Sequence, residues 1–478
     1  MKNNIENKIK EKLNRFSFWD KFQETSADLK MPVFLVGGYV RDMIIGRDEE
    51  KDEMDFLVLG DGPQFAKLLS EKLRSNKINI FKTYGTAHFK YNEINLEFVG
   101  ARKESYNRES RNPIVEPGSF DEDIKRRDFT INAIAVSVGR DNFGKMFDQF
   151  NGLEDIENRL IRTPLEPEIT FNDDPLRIMR AIRFATQLDF SIEEKTLEGI
   201  KSRKERLQII TQERITDEFL KIMAAPVPSV GLILMYETGV MDVVFPEISN
   251  LAGVDQRKDF HHKDVFFHTC QVVDNVAKVS DNIWLRIAAL LHDIAKPKTK
   301  RFIEGTGWTF HGHEELGARM IKPIFKKMKF PLSQEPYVEN LVRLHLRPIA
   351  LVDDNVTDSA IRRLIVSAGD DLDDLITLCR ADITSKNQKK VQKYLNNYNL
   401  VMEKVKEVRE KDKLRAFQSP VRGDEIMEIC GLKPSKKVGI VKSAIEEAIL
   451  EGKIENTYEA AREYLDRIKN ELCENNNQ

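Results

Sequence analysis

Cysteine is scarce in this chain of 478 residues: the four stand at 270, 379, 430 and 473, with no Cys-x-x-Cys pair. That spacing excludes a zinc ribbon and a disulfide-knit scaffold. No apolar run approaches the ~18 residues that cross a bilayer. The opening MKNNIENKIKEKLNRF also lacks the apolar core and cleavage site of a secretory signal. A cytoplasmic protein without membrane contact is expected. Neither sign of charge prevails, 75 Lys+Arg against 78 Asp+Glu, so any grip on nucleic acid must come from local patches. Internal repeats and low-complexity tracts are missing too, apart from the polar end CENNNQ.

What is present is enough apolar sequence, 41%, for several cores. At about 150 residues per domain the length suggests three or four units.

The chain is organised around Leu35 to Leu59, LVGGYVRDMIIGRDEEKDEMDFLVL. It reads as strand, glycine turn, helix, strand. Gly37 and Gly38 let backbone N–H groups come close to a phosphate. Glu53 and Asp55 are two apart, so on a strand both carboxylates project to one face. Such hard oxygen ligands suit Mg²⁺, which favours one or two carboxylates plus substrate phosphates. Short strands follow at Ile78–Phe81, Ala87–Tyr91 and Ile94–Val99, the last two a hairpin around Asn92-Glu93, and Glu97 adds a third carboxylate. Residues 1–30 read as an amphipathic helix and Phe65–Leu73 as another.

Gly100 to Asp123 is polar, Pro/Gly-punctuated and without periodicity, which points to a mobile loop over the site. In RRDFTINAIAV (Arg126 to Val136), Arg126, Arg127 and Asp128 precede an expected apolar helix, with Asn132 four residues beyond Asp128 on the same face. The two arginines suit a triphosphate, Asp128 and Asn132 a ribose. Further on, Asp173 and Asp174 precede Pro175 at a helix start, where Asp174 and Arg177 are expected as neighbours on one helical face. Helical patterns continue to Pro246, including ERITDEFLKIM.

Seven of the eight histidines lie between His261 and His345. His268, the adjacent pair His292-Asp293, His311 and His313, and then Asp382 sit on successive helical segments and can converge on one divalent metal or a pair. From Lys386 to Arg415 ten Lys/Arg face four Asp/Glu, a basic helical stretch, and a small helical tail ends the chain.

These motifs, in this order, resemble the bacterial class II tRNA nucleotidyltransferases, the CCA-adding enzymes and their poly(A) polymerase relatives, over nearly the whole chain. Gly37-Gly38 with Arg41-Asp42 looks like the family's phosphate-binding GGxVRD. Glu53 and Asp55 fall at its paired metal carboxylates, commonly Asp-x-Asp, so the glutamate is a departure. Arg126-Arg127-Asp128 with Asn132 matches RRDxTxN, and Asp174 and Arg177 match the base-selecting pair, with Arg180 one turn on. The His-rich part resembles the HD phosphohydrolase domain, whose ligands carry over to His268, His292, Asp293 and Asp382, with His313 and His345 as ligands of a second metal.

The resemblance implies an α+β fold. A nucleotidyltransferase palm of mixed sheet and helices (1–150) precedes an all-helical neck (151–248), an HD domain (249–385) and a tRNA-binding tail (386–478). It implies Mg²⁺ at the palm, a divalent transition metal at the HD centre, CTP and ATP as substrates, and tRNA as partner, held in part by Lys389, Lys390, Lys436 and Lys437. The expected reaction is CMP, CMP and AMP addition without a template, with HD phosphatase or phosphodiesterase activity beside it. A poly(A) or partial CC- or A-adding product, an HD phosphohydrolase with a nucleotide-binding head, and a non-catalytic RNA binder share parts of this pattern. Oligomeric state is left open.

Overall fold

A computed structural model describes residues 2–48, 53–75, 77–81, 85–105, 114–254, 264–351, 357–385, 387–412 and 419–469. His261, His262, Cys473, both ends of the basic stretch and part of the Gly100–Asp123 loop lie outside them. The chain divides into two units, Met1–Ser249 and Asn250–Gln478.

The first unit is built on a mixed seven-stranded sheet. Its strands are β1 (Val33–Val36), β2 (Glu53–Val58), β3 (Ile78–Phe81), β4 (Thr86–Tyr91), β5 (Ile94–Gly100), β8 (Ala135–Ser137) and β9 (Met146–Phe147), with β6 (Arg102–Ser105) and β7 (Ile114–Pro117) forming a separate ribbon. The sheet order is β3-β4-β5-β2-β1-β8-β9. Asn92 and Glu93 both adopt positive φ, 44° and 68°. That is the two-residue turn whose twist matches antiparallel strands, and it sets the register His88↔Glu97.

Alternation along β2 sorts its two faces. Met54, Phe56 and Val58 are fully buried, Phe56 stacking on Phe98 of β5 at 5.0 Å. Phe22 packs on both rings and Phe65 on Phe98. The opposite face carries Glu53 and Asp55, then closes at Leu57 over Ile124, Ala133 and Ala135. Phe98→Ala is expected to cost about 3–5 kcal/mol by cavity formation.

Three local expectations are corrected. The amino-terminal helix is two helices, Lys2–Leu13 and Trp19–Leu29. The long loop contains the β6–β7 ribbon and a helix, Phe120–Lys125, whose start is fixed by a Ser119/Glu122 capping box. The apolar run after Arg127 is not a helix: it makes one 3-10 turn, Thr130–Asn132, and then β8. As an interior strand β8 is buried on both faces, so it reads as continuous apolar sequence rather than alternating.

The rest of the first unit is helical except for one parallel two-strand pairing, Leu160–Ile161 with Ser191–Ile192. In the second unit, helices Val265–Ala277, Ile283–Leu291, His313–Lys327, Glu335–Leu344, Asp358–Ala368 and Leu372–Ala381 form the HD region. One hairpin, Arg301–Ile303 with Gly307–Thr309, interrupts them. A long helix, Gln388–Asp412, leads to three short ones, Gly423–Cys430, Lys436–Leu450 and Tyr458–Lys469. These share a small core of Val421, Ile426, Val441, Ile445, Ala461 and Leu465. No helix among the described residues is long and apolar enough to cross a membrane.

Candidate active site and metal centre

Parallel pairing of β2 with β5 sets Asp55 opposite Glu97. With Glu53 at the strand's first position, ligand oxygens of all three carboxylates lie within 4.8 Å of one another. Burial, reinforced by Glu97 and Glu53, pushes the Asp55 carboxyl up to about 6 against the opposing Arg127 and Arg180. Burial and Glu53 raise Glu97 as well. Three acids crowded together in this way form a site short of positive charge.

The glycine turn faces them. Gly37 has φ +77°, and a Cβ there would lie 3.1 Å from Asp55 Oδ2 and 3.8 Å from Arg127 Nη1. Only glycine leaves that gap beside the carboxylate open. Gly38 begins the helix Gly38–Ile45, whose buried Arg41 and Asp42 are paired at 2.9 Å. Crowded acids and a cradle that a Cβ would fill both fit a divalent cation with a phosphate next to it.

A polar network runs from that helix into the neck. Arg41 Nη1 donates to Asn132 Oδ1 at 2.8 Å, Asn132 Nδ2 to Asp128 Oδ1 at 3.0 Å, and Arg180 Nε to Asp128 Oδ2 at 2.9 Å. Burial alone would raise the Asp128 carboxyl, but Arg180 and Asn132 more than reverse this and hold it down at about 2. Asn132 and Asp128 therefore meet, although through a 3-10 turn and not along one helical face. Arg126 and Arg127 both pair with Asp123, which has no exposure, at 2.5 and 3.2 Å.

Asp174 and Arg177 are arranged differently from the expectation. Asp174 lies outside the helix Leu176–Leu188 with extended backbone, its Oδ1 accepting from Leu176 N at 3.1 Å. Its ion-pair partner is Arg214, at 3.7 Å. Arg177 instead donates from Nη2 to the Arg126 carbonyl at 2.5 Å. The two are therefore not neighbours on one helical face, and Arg177 is tied to the segment bearing the paired arginines.

Sequence reasoning missed Asp123, Arg183, Phe184 and Glu218. Arg183 forms a buried ion pair with Glu218 at 2.6 Å. The Phe184 ring lies beneath Arg41, Arg180 and Arg183, at 4.9, 5.3 and 4.1 Å. A signal existed: Arg177, Arg180 and Arg183 recur every three residues, which places them along one side of a helix.

In the second unit, two trios have ligand atoms within 4.8 Å of one another: His268, His292 and Asp382, and Asp293, His313 and His345. His268 and Asp293 are 3.7 Å apart, so the trios adjoin. His311 is exposed and in neither. The rings are pre-set. Nδ1 of His292, His313 and His345 faces the carbonyls of Ala289, Phe310 and Val342 at 2.7, 2.8 and 2.7 Å. A carbonyl only accepts, so each Nδ1 carries a proton and each Nε2 is the nitrogen left to face the centre. All three Nε2 atoms are buried without an aligned hydrogen bond, those of His292 and His313 lying 3.2 and 3.3 Å from the Asp293 carboxylate. Orphaned imidazole nitrogens among carboxylates fit a divalent transition metal. Burial opposes a charged His292, but Asp293 and Asp382 outweigh it and raise the ring to about 10, so a metal ligated there takes the place of the Nε2 proton. Burial and His292 push His345 down to about 4. Lys296, also missed in the sequence, sits 2.6 Å from Asp293 Oδ2.

Comparison with known proteins follows these regions. Residues 33–162 match the poly A polymerase head domain, 189–251 a probable RNA and SrmB- binding site of polymerase A, and 265–384 the HD domain. The chain is 31% identical over 362 residues to the A-adding tRNA nucleotidyltransferase of Deinococcus radiodurans, spanning 73% of this chain and 80% of that one. It belongs to the tRNA nucleotidyltransferase and poly(A) polymerase family. The CC-adding tRNA nucleotidyltransferase of Thermus thermophilus is 29% identical over 451 residues, 90% of this chain and 92% of its own. The multifunctional CCA protein of Methylococcus capsulatus is 30% identical over 371 residues, 74% and 81% of the two chains. Among solved structures, a CCA-adding enzyme complexed with ATP shares the fold with a TM-score of 0.62 at 20% identity, over 96% of each chain.

In this nucleotidyltransferase the palm carboxylates make a testable statement about pH. Asp55 is raised from 3.8 to about 6. A raised carboxyl contributes stability at low pH that is lost as pH climbs from about 4 through about 6. Cation binding needs the ionised form, so it strengthens over the same window. At limiting divalent ion, nucleotide transfer should fall about tenfold per pH unit below 6. A flat profile between about pH 5 and 7, measured at fixed limiting ion, would contradict the assignment.

Proposed function

We infer that the chain adds CMP, CMP and AMP in turn, from CTP and ATP, to the 3′ end of tRNA without a nucleic-acid template. One observation carries this reading. The Arg41–Asn132–Asp128–Arg180 network ties the helix that follows the glycine turn to the helix that carries Arg177, and Arg177 in turn reaches the Arg126 carbonyl beside the paired arginines. Names of relatives support it, since CC-adding, A-adding and multifunctional CCA proteins all align with this chain.

In this reading Glu53, Asp55 and Glu97 hold Mg²⁺, which when bound activates the 3′-hydroxyl and offsets charge on the α-phosphate and leaving pyrophosphate. Gly37, Gly38, Arg41, Arg126 and Arg127 position the triphosphate, with Asp123 setting the two later arginines. Asp128 and Asn132 take the ribose hydroxyls, with Asp42 and Arg180 fixing the network around them. Lys389, Lys390, Lys436 and Lys437 lie in the first turns of two tail helices. Cations there oppose the helix dipole. They are better accounted for as contacts to RNA phosphates, which would be held by shape and backbone. Its substrates, tRNA, CTP and ATP, are consistent with a cytoplasmic activity.

The deciding experiment incubates pure protein with tRNA lacking its 3′ end and each labelled NTP, then sequences the products. CCA ends support the proposal. The likeness to an A-adding enzyme favours a second reading, in which only A is added to tRNA ending in CC; products confined to that substrate would establish it.

Base choice follows from hydrogen-bond polarity. Cytosine and adenine each present an amino donor beside a ring-nitrogen acceptor, which suits Asp174 as acceptor and Arg177 as donor; uracil and guanine present the reverse. Asp174→Ala and Arg177→Ala should each lower CMP and AMP incorporation and relax discrimination by about 1–3 kcal/mol. The double variant should be little worse, because both residues act on one base. Unchanged kcat/KM ratios for the four NTPs in both single variants would remove the pair from base reading.

The HD centre supports a second, separate chemistry: metal-dependent hydrolysis of phosphate esters. The orphaned Nε2 atoms of His292, His313 and His345 support it.

A further inference from the structure

Between the two halves of the HD ligand set lies a segment that nucleotide transfer does not use. Lys296 to Phe310, KPKTKRFIEGTGWTF, interleaves cations with aromatics. It leaves the centre at Lys296, whose ammonium lies 2.6 Å from Asp293 Oδ2 and 5.6 Å over the Phe310 ring. It then forms the hairpin Arg301–Thr309. The chain returns at Phe310, whose carbonyl faces His313 Nδ1 at 2.8 Å. Both ends of the hairpin are fastened to residues of the centre.

Phe302 and Trp308 are cross-strand partners and so share one face, with ring centroids 5.3 Å apart. They remain 52% and 39% exposed. Lys300 Nζ lies 4.6 Å over the indole. Among the described residues no carboxylate pairs with Lys298, Lys300 or Arg301. Trp308 is five residues from His313 and therefore within about 18 Å of it along the backbone. Exposed aromatic faces beside unpaired cations are what a single nucleic-acid strand requires, bases stacking while cations follow the phosphates. A bilayer fits less well. Insertion calls for an apolar tip, and this one reads Glu304-Gly305-Thr306-Gly307.

We propose that this hairpin is a single-stranded RNA platform of the HD centre, with Trp308 stacking a base and Lys298, Lys300 and Arg301 holding the flanking phosphates. The platform gives the hydrolytic reading of that centre a substrate class, phosphate esters on an RNA strand, and rests on that reading only for this step.

The test uses the full chain and a short oligoadenylate carrying a 3′-phosphate. Trp19 is buried and Trp284 packs on Phe325 and Phe330, so Trp308 is the tryptophan open to stacking. Saturable quenching of tryptophan fluorescence is expected in the parent and none in Trp308→Phe. In the triple alanine variant of Lys298, Lys300 and Arg301, the slope of log affinity against log salt should be shallower by about 2, three contacts at about 0.7 each. For hydrolysis, Trp308→Ala should raise KM for the oligonucleotide about five- to 150-fold. Its KM for p-nitrophenyl phosphate and its rate of nucleotide addition should stay at the parent's values. Quenching without hydrolysis of either ester would retire the hydrolytic reading and leave the platform standing. No quenching by the oligonucleotide, an unchanged salt slope, or quenching by phosphatidylserine vesicles instead of RNA would overturn the platform.

Discussion

Asp55→Ala is expected to reduce nucleotide addition by at least about a thousandfold, roughly 4 kcal/mol of transition-state stabilisation. The carboxylate lies at the centre of the trio, paired in register with Glu97, and its loss removes both a cation ligand and the neighbour closest to the glycine turn. Folding should not suffer. Burial and two like charges raise this carboxyl to about 6, so at neutral pH its ionised form works against the folded state, and alanine should melt at the same temperature or higher without added metal. Single-turnover addition alongside a melting curve checks both halves. A variant within about tenfold of the parent, only ~1.4 kcal/mol, would move the chemistry elsewhere.

The second large effect belongs to the other unit. Asp293 has partners on every side: His292 Nε2 at 3.2 Å, His313 Nε2 at 3.3 Å and Lys296 Nζ at 2.6 Å. Asp293→Ala should therefore abolish metal-dependent phosphate-ester hydrolysis and also any thermal stabilisation by Mn²⁺, Co²⁺ or Ni²⁺. A bound ion at a hundredfold excess over its Kd contributes about 2.7 kcal/mol, a clear shift in melting. Without metal, the variant should itself be less stable, because removing one partner of a buried ion pair commonly costs about 3–5 kcal/mol. CMP and AMP addition should remain near the parent's rate at a temperature where both are folded. An identical metal-induced shift in parent and variant would exclude Asp293 as a ligand.

Where the sequence was legible, the reason was local. Asn92-Glu93 between two alternating runs has one economical solution, a tight hairpin, and that hairpin sets Glu97 in register. The His292-Asp293 pair at the end of an apolar helix was similarly plain. Legibility failed where tertiary context decides. The run from Phe129 to Val138 carries no period because β8 lies inside the sheet, and a short apolar run does not separate strand from helix. Asp174 and Arg177 looked like a helical pair by spacing, but Pro175 follows Asp174 and biases its backbone to the extended form. Arg214, forty residues away, then supplies the nearby charge. Asp123 closed a polar stretch that read as a mobile loop, and only the fold shows it fully buried beneath two guanidinium groups.

The Phe184 ring has a mechanical consequence. The guanidinium groups of Arg41, Arg180 and Arg183 rest on one aromatic side chain, so the pocket has a keystone where three independent contacts would leave three independent hinges. Loss of that ring would loosen all three at once.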